Sequence, residues 1–223
     1  MTSLSPFRVV LVTLALVVGL YACASGLAEL GSLDRPVFPM DPRKFNALSL
    51  GEPPGWLQAV SPFRSDLEAN LALITAIRAL QSGREKAAAA NSGENTLSLT
   101  RVRQSLSIAP CAPELWLALA LLQAQRDPHD PVVTEALKMS YFTAPNDARL
   151  MPVRLDMATV SDALADPDVK ELVRGDVRLM VTRQPDMRAA VVLAYRRGSR
   201  LGKAFLEESI QSIDPSFLST LRG

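Results

Sequence analysis

Side chains that carry catalysis or pack between sheets are scarce in this chain of 223 residues. Aromatic residues make up 5%, and there are one histidine and two cysteines. Few aromatics, together with abundant alanine and leucine, favour packed helices over sheets. Cys23 lies in an apolar run and Cys111 lies far outside it, so no disulfide between them is expected. We interpret Cys111 as a lone thiol at a turn between helices.

An excess of charge of either sign is also lacking. The chain has 24 basic and 23 acidic residues, for a formal net charge of +1. Such a balance produces no strong field over the whole protein, so a role in binding nucleic acid is not expected. Hydrophobic residues make up 48% of the chain, which is enough for one compact core.

No pattern of residues indicates catalysis. His129 is flanked by Asp127 and Asp130, and this spacing is typical of a solvated turn, so no metal site is predicted. No serine lies in a Gly-x-Ser-x-Gly elbow, and the segment 198–203 lacks the spacing of a phosphate-binding loop. We therefore expect no catalytic, cofactor-binding or metal-binding residue, and a chain that is not an enzyme. Scattered carboxylates leave a carbohydrate-active enzyme of the bacterial envelope as an alternative.

One long apolar run stands near the N-terminus. Residues 9–28 carry no charged side chain, and a helix of that length crosses ~30 Å of hydrocarbon. We predict a leader at 1–8 and a transmembrane anchor at 9–28. A cleaved signal peptide is an alternative, because Ala22-Cys23-Ala24 offers small residues for cleavage. A lipoprotein modified at Cys23 is another, although Tyr21 departs from the lipobox pattern.

The flanking charges predict an orientation for the anchor. Arg8 precedes the run, whereas Glu29 and Asp34 are the first charges after it. This bias is slight, but it favours a cytoplasmic N-terminus and an exported C-terminal domain. We predict a single-pass protein of the bacterial inner membrane with its domain in the periplasm; the opposite orientation stays open.

A proline-rich segment, residues 29–64, follows the anchor. Six prolines exclude a continuous helix there, so we predict a linker. The segment is more apolar than a freely solvated tether requires. Its apolar residues are expected to dock on the bilayer, on the helical domain or on a partner; they are Val37, Phe38, Phe45, Leu48, Leu50, Trp56 and Leu57.

Residues 65–223 have helical spacing and form the predicted helical domain. Apolar residues recur every three or four positions from Ser65 to about Ser82, and a second helix is expected from Thr96 after a break at 91–93. Further helices are expected from Pro167, from Pro185 and over 203–212. The predicted fold class is therefore all-α: an N-terminal transmembrane helix followed by a helical repeat domain.

A recurrence of 35 residues relates two parts of this domain. The segment 105–110 ends in Ala-Pro, as does the segment 140–145, and a new apolar helix follows each proline. The stretch from Pro110 to Pro145 resembles a tetratricopeptide repeat, in which two antiparallel helices pack together, and the neighbouring stretches resemble degenerate copies. The residues at its packing positions are Leu115, Trp116, Leu119, Ala120, Leu137, Ser140 and Pro145. Trp116 is expected to fill the gap between paired helices, and the sequence departs from the family pattern at Pro152, inside an expected first helix, and at Gly175.

Four cations crowd a turn near the C-terminus: Arg196, Arg197, Arg200 and Lys203. The ordinary interpretation is a solvated helix end, where cations complement the helix dipole. The functional interpretation is an anion-binding patch for acidic polysaccharide or lipid headgroups.

The layout of leader, anchor, proline-rich segment and degenerate helical repeats resembles small membrane proteins that accompany bacterial exopolysaccharide and capsule machinery, including the VpsP-type proteins. That resemblance implies an accessory role in polysaccharide biosynthesis or export. We expect a membrane-tethered adaptor or scaffold that binds one or more proteins of a membrane complex, with polysaccharide as a further candidate ligand and no cofactor. A purely structural subunit, packed through Gly19 and Gly26 of the apolar run, is the remaining alternative.

Overall fold

The computed structural model describes residues 6–32, 38, 55, 64–85 and 91–223. Helix α1 spans Pro6–Ser32 and contains the apolar run. Its stretch Pro6–Gly26 has a mean hydropathy of 2.2 and is long and apolar enough to cross a membrane. No part of that stretch is buried against the rest of the protein, so its large apolar side chains are free to contact lipid. The predicted linker, 29–64, lies largely outside the described residues.

The rest of the described chain is helical, which confirms the all-α prediction. The helices are α2 (Ser65–Glu85), α3 (Asn91–Ile108), α4 (Pro113–Ala124), α5 (Pro131–Thr143), α6 (Met151–Val160), α7 (Pro167–Thr182), α8 (Arg188–Arg197), α9 (Arg200–Ile213) and α10 (Leu218–Arg222). Short 3-10 turns at Asp162–Ala165, Pro185–Met187 and Pro215–Phe217 join some of them. Helix α3 begins five residues before the predicted start, because 91–93 form its first turn instead of a break.

Aspartate-proline pairs begin two of the α-helices. Asp130 Oδ1 accepts a hydrogen bond from the backbone N–H of Val132 at 2.8 Å, and Pro131 is the first residue of α5. Asp166 Oδ1 in the same way caps α7, which starts at Pro167. The carboxylate satisfies an otherwise unpaired amide, and proline has no amide to satisfy. These hydrogen bonds also lower the pKa of Asp130 and Asp166, since they favour the ionised form.

Pro152 lies in a helix, but in its first turn and not in the interior where a proline is costly. Pro152 is the second residue of α6, in the first turn, where a backbone amide has no helical partner. The large cost of an interior proline therefore does not arise.

The helices of the domain form two rows. Sequential helices α2 and α3 pack together, as do α4 and α5. Helices α2, α4, α6 and α8 also contact one another in succession, and α5, α7 and α9 do so on the other side. One hydrophobic core runs between the rows. The helices of each named row thus pack on the next helix of that row as well as on a sequence neighbour.

Phe38, from the predicted linker, belongs to this core. It is 2% exposed and is part of the same hydrophobic cluster as the helices. The linker therefore does not act only as a solvated tether. At Phe38 the chain is held by burial of a large apolar side chain.

We expect Phe38→Ala to lower the free energy of unfolding by about 3 kcal/mol or more, because the buried ring is lost and a cavity remains. Denaturant unfolding of the full chain in mild detergent measures the change. Phe142→Ala is the matched control, since Phe142 is 58% exposed and its loss should cost less than ~0.5 kcal/mol. Equal effects of the two substitutions would contradict the burial of Phe38.

Candidate interaction surface

A small pocket opens on the row formed by α2, α4, α6 and α8. It has a volume of about 130 Å³ and draws residues from all four helices. Its lining comprises Leu80, Leu121, Ala124, Gln125, Asp156, Met157, Val160 and Arg197. For comparison, an engineered apolar cavity of ~150 Å³ holds benzene. The pocket is therefore large enough for one apolar side chain.

The polar groups of this pocket are already engaged within the protein. Arg197 Nη1 lies 3.0 Å from Asp156 Oδ2. Gln125 Nε2 donates to the carbonyl of Leu80 at 3.2 Å, and Gln125 Oε1 accepts from Asn95 Nδ2 at 3.1 Å. What the pocket offers to a ligand is thus mainly its aliphatic surface.

A larger groove of about 670 Å³ lies at the end of the domain where α2 and α4 begin and α3 and α5 end. Asp66 and Asp147 both line it. The hydrogen bond from Arg64 lowers the pKa of Asp66, and the hydrogen bond from Arg149 lowers the pKa of Asp147. Both carboxyl groups are consequently held in the ionised form and neutralised by a neighbouring guanidinium.

The four cations near the C-terminus do not form a set of equivalent free charges. Arg196, one residue before the end of α8, is exposed, as is Arg200 at the start of α9. Arg197 instead pairs with the nearly buried Asp156. Lys203 Nζ lies 5.9 Å from the centre of the Tyr195 ring. An anion would therefore meet two exposed arginines and a third whose charge is already balanced.

The glycines of this segment have a packing role. The backbone N–H of Ser199 donates to the carbonyl of Thr159 on α6 at 2.8 Å. A Cβ on Gly202 would lie 2.3 Å from the same carbonyl oxygen. The start of α9 therefore crosses the end of α6 at backbone contact, which accounts for Gly202 without a phosphate ligand.

Most residues of the predicted repeat are in the core. Leu115, Leu119, Ala120, Leu137 and Ser140 are all buried, and Pro145 follows the end of α5. Trp116, expected to fill the gap between paired helices, is only partly buried. Its Nε1 donates to the carbonyl of Pro110 at 2.8 Å, so the indole packs over the turn before α4.

A buried polar cluster, which sequence reasoning missed, joins α5, α6 and α7. Arg154 is fully buried. Its Nε donates to Ser140 Oγ at 3.0 Å, its Nη1 donates to the carbonyl of Ala144 at 2.9 Å, and its Nη2 donates to the carbonyl of Ser140. The guanidinium therefore satisfies carbonyls at the C-terminal end of α5, which have no helical partner. It also lies 4.6 Å from the centre of the Tyr141 ring, in position for a cation–π interaction.

Asp176 completes this buried cluster from α7. It is 2% exposed, and burial raises its pKa to about 7. The hydrogen bond from Tyr141 and the positive charge of Arg154 act in the opposite direction and lower this pKa. Burial likewise raises the pKa of Tyr141. The available sequence signal was a charged residue within an apolar stripe: Arg154 lies between Val153 and Leu155, and Asp176 precedes Val177.

Asp176 predicts a pH dependence of stability. Its pKa is about 7 in the native protein and near 3.8 in the unfolded chain, so between these values the native state holds a proton that the unfolded state has lost. This contribution therefore weakens the fold as pH rises from about 4 to 7. Each pKa unit corresponds to ~1.4 kcal/mol. The free energy of unfolding of Asp176→Asn, relative to that of wild type, should therefore be about 2–4 kcal/mol higher at pH 8 than at pH 4.5. Denaturant unfolding at the two pH values measures this gain, and a gain independent of pH would contradict it. The exposed Asp186→Asn is the matched control.

His129 lies in a solvated turn, as its sequence neighbours predict. Its Nδ1 is 2.7 Å from Asp162 Oδ2, and both side chains are more than half exposed. Within the described ranges, no three His, Cys, Asp or Glu side chains come together in a group that could hold a metal ion.

Comparison of the chain with protein-family models, with curated proteins and with solved structures gave no match. The candidate surface is consequently defined by its geometry alone: an apolar pocket shared by four helices of one row, and a larger groove at the end of the domain where α2 begins.

Proposed function

We propose that the chain is a membrane-tethered interaction module, in which α1 is the anchor and residues 65–223 form a tetratricopeptide-like repeat domain that binds a protein partner. The observation that most directly supports partner binding is the pocket lined by α2, α4, α6 and α8. In stacked helical repeats, equivalent helices of successive units line one face, and that face binds extended segments of partners. The succession of contacts along this row supports such an arrangement.

The chemistry of the pocket supports a partner that inserts an apolar side chain. The ion pair and the amide in the pocket are satisfied internally, so a ligand gains little from polar contacts. Burial of an aliphatic or aromatic side chain in about 130 Å³ would supply the binding energy, at ~25 cal/mol per Å² of apolar surface.

The carboxylates of the large groove favour a binding protein over an enzyme that hydrolyses glycosidic bonds. A glycosidase needs one carboxylic acid with a raised pKa in its cleft. Asp66 and Asp147 in the groove have lowered pKa values, and Asp176, whose pKa is raised, is buried away from solvent. An adaptor is therefore the better fit to these residues.

The proposed setting is the inner membrane of a bacterium, with the helical domain in the periplasm beside a membrane complex. The resemblance in layout to proteins of exopolysaccharide and capsule machinery supports an accessory role in polysaccharide biosynthesis or export. Under this proposal the partner is a protein of such a complex.

A site-specific photo-cross-linker tests the partner-binding face. Placed at Ala124 in the pocket, it should yield a discrete adduct in native membranes, which mass spectrometry identifies together with the mature N-terminus. The matched position is Arg178, exposed on α7 in the other row. Met157→Asp should abolish the adduct, because it introduces a charge into the apolar pocket. The same adducts from both positions, or an adduct unaffected by Met157→Asp, would refute the role of the pocket.

A further inference from the structure

The end of the anchor is joined to the start of the helical domain. The apolar stretch of α1 ends at Gly26, and Glu29 follows about 4.5 Å further along the helix axis. Glu29 Oε1 accepts a hydrogen bond from Arg64 Nη2 at 3.1 Å, and α1 contacts α2. If α1 spans a bilayer, as proposed above, Arg64 is held at the level where the anchor leaves the hydrocarbon.

The large groove opens at this same end. Its lining begins at Ser65 and Asp66, directly after Arg64, and includes the ends of α3 and α5. Exposed apolar side chains are found there. Ile108, in the lining, is 55% exposed, and Phe142, which directly precedes the lining residue Thr143, is 58% exposed.

Trp116 adds an interfacial side chain to this end. Its indole is held by the carbonyl of Pro110, another residue of the groove. Tryptophan and tyrosine are enriched where protein meets the headgroup region, because an apolar ring and a polar N–H or O–H are joined in one side chain. The charges of the groove are mixed: Asp66, Glu114 and Asp147 oppose Arg64 and Arg149. An attraction that depends on anionic lipid is therefore not expected here.

We propose that this end of the domain, named the bilayer-facing surface and defined by Ile108, Phe142, Trp116 and the groove beside them, rests on the lipid interface that α1 crosses. The occupant of the surface is the headgroup region of the bilayer. The apolar side chains contact lipid, and the Glu29–Arg64 pair holds the domain against it. This inference rests on the anchoring role of α1 in the proposed function.

The exposed thiol of Cys111 provides a probe, because Cys111 lines the groove. The full chain with Cys23→Ser carries a fluorophore on Cys111 and is reconstituted in phosphatidylcholine vesicles. Nitroxide quenchers are placed at the lipid headgroup. The matched control carries the fluorophore on His129→Cys, in a chain that also has Cys23→Ser and Cys111→Ser. His129 is exposed and follows the C-terminal end of α4, which lies ~17 Å from the N-terminal end of that helix. We expect quenching at Cys111 to exceed quenching at position 129 several-fold.

A pair of substitutions tests the apolar contact itself. Ile108→Asp with Phe142→Asp should reduce quenching at Cys111 to the level seen at position 129. Leu97→Asp should leave it unchanged, because Leu97 is as apolar and 73% exposed but lies near the other end of α3. All three substitutions replace exposed side chains, and unfolding measured in detergent checks that the domain is intact.

The outcomes separate this inference from the proposed function. If the chain stays with vesicles through an alkaline wash but Cys111 is not quenched, the bilayer-facing surface is refuted and the anchor stands. Protection of Cys111 in native membranes without quenching in pure lipid would also refute it, in favour of a protein at this surface. If the chain washes off the vesicles, the anchor is refuted and this inference falls with it.

Discussion

Gly202→Ala is expected to destabilise the helical domain by about 2 kcal/mol or more. The added Cβ would lie 2.3 Å from the carbonyl oxygen of Thr159, 2.8 Å from its Cα and 2.9 Å from its carbonyl carbon. All three atoms belong to the backbone of α6, so no side chain can rotate away, and α9 must move. Overpacking of this kind costs ~1–3 kcal/mol or more, which outweighs the gain of ~1 kcal/mol that alanine brings to a helix.

Gly175→Ala is the matched control for Gly202→Ala. Gly175 lies inside α7, is exposed, and has no atom within 4 Å of the position of a Cβ. Alanine there should stabilise the domain by ~0.5–1 kcal/mol, since only backbone entropy changes. Denaturant unfolding of both variants measures the two changes. The free energy of unfolding is expected to fall for Gly202→Ala and to rise for Gly175→Ala. If Gly202→Ala left it unchanged, α9 would not meet α6 at backbone contact.

Arg154→Met is expected to cost about 3–5 kcal/mol. Methionine fills much of the volume of the side chain, but it removes the charged hydrogen bonds to the carbonyls of Ser140 and Ala144. Each carbonyl keeps only a longer hydrogen bond, from Thr143 Oγ1 and from the backbone N–H of Asp147 respectively. The substitution also removes the positive charge that lowers the pKa of Asp176. Arg149→Met is the matched control: Arg149 is 58% exposed and pairs with Asp147 at the surface, so its loss should cost less than ~1 kcal/mol.

The pH dependence of Arg154→Met distinguishes its two roles. If Arg154 acted only as a carbonyl donor, the cost would be the same at pH 5 and pH 8. Because it also favours ionised Asp176, we expect the cost to be larger at pH 8. The double variant Arg154→Met with Asp176→Leu should recover part of this loss, since it leaves no unpaired buried carboxylate. Full additivity of the two substitutions would contradict their coupling.

The helices were largely predictable because their signals are local. The apolar run of α1, the apolar spacing of α2 and the aspartate-proline starts of α5 and α7 depend on residues within one or two turns. That Pro152 lies in the first turn of α6 was not predicted, because the start of α6 depends on the turn before it. In that turn, Asp147 Oδ1 accepts from the backbone N–H of Arg149, and the helix begins only at Met151.

The predicted sites depended on pairings that spacing along the chain does not reveal. Arg197 was interpreted as a surface cation, but its partner Asp156 lies 41 positions earlier, on a helix two places before in the chain. Trp116 was assigned to a gap between helices, whereas a carbonyl of the preceding turn holds its indole at the surface.

Composition and periodicity were sufficient for an all-helical chain with one apolar segment long enough to cross a membrane, because hydrophobic spacing and capping act over a few residues. Packing alone brought Ser140, Arg154 and Asp176 into one buried cluster, aligned four helices around a pocket and set the groove beside the end of α1. Those features depend on contacts between residues up to dozens of positions apart, and such contacts form only when the helices pack.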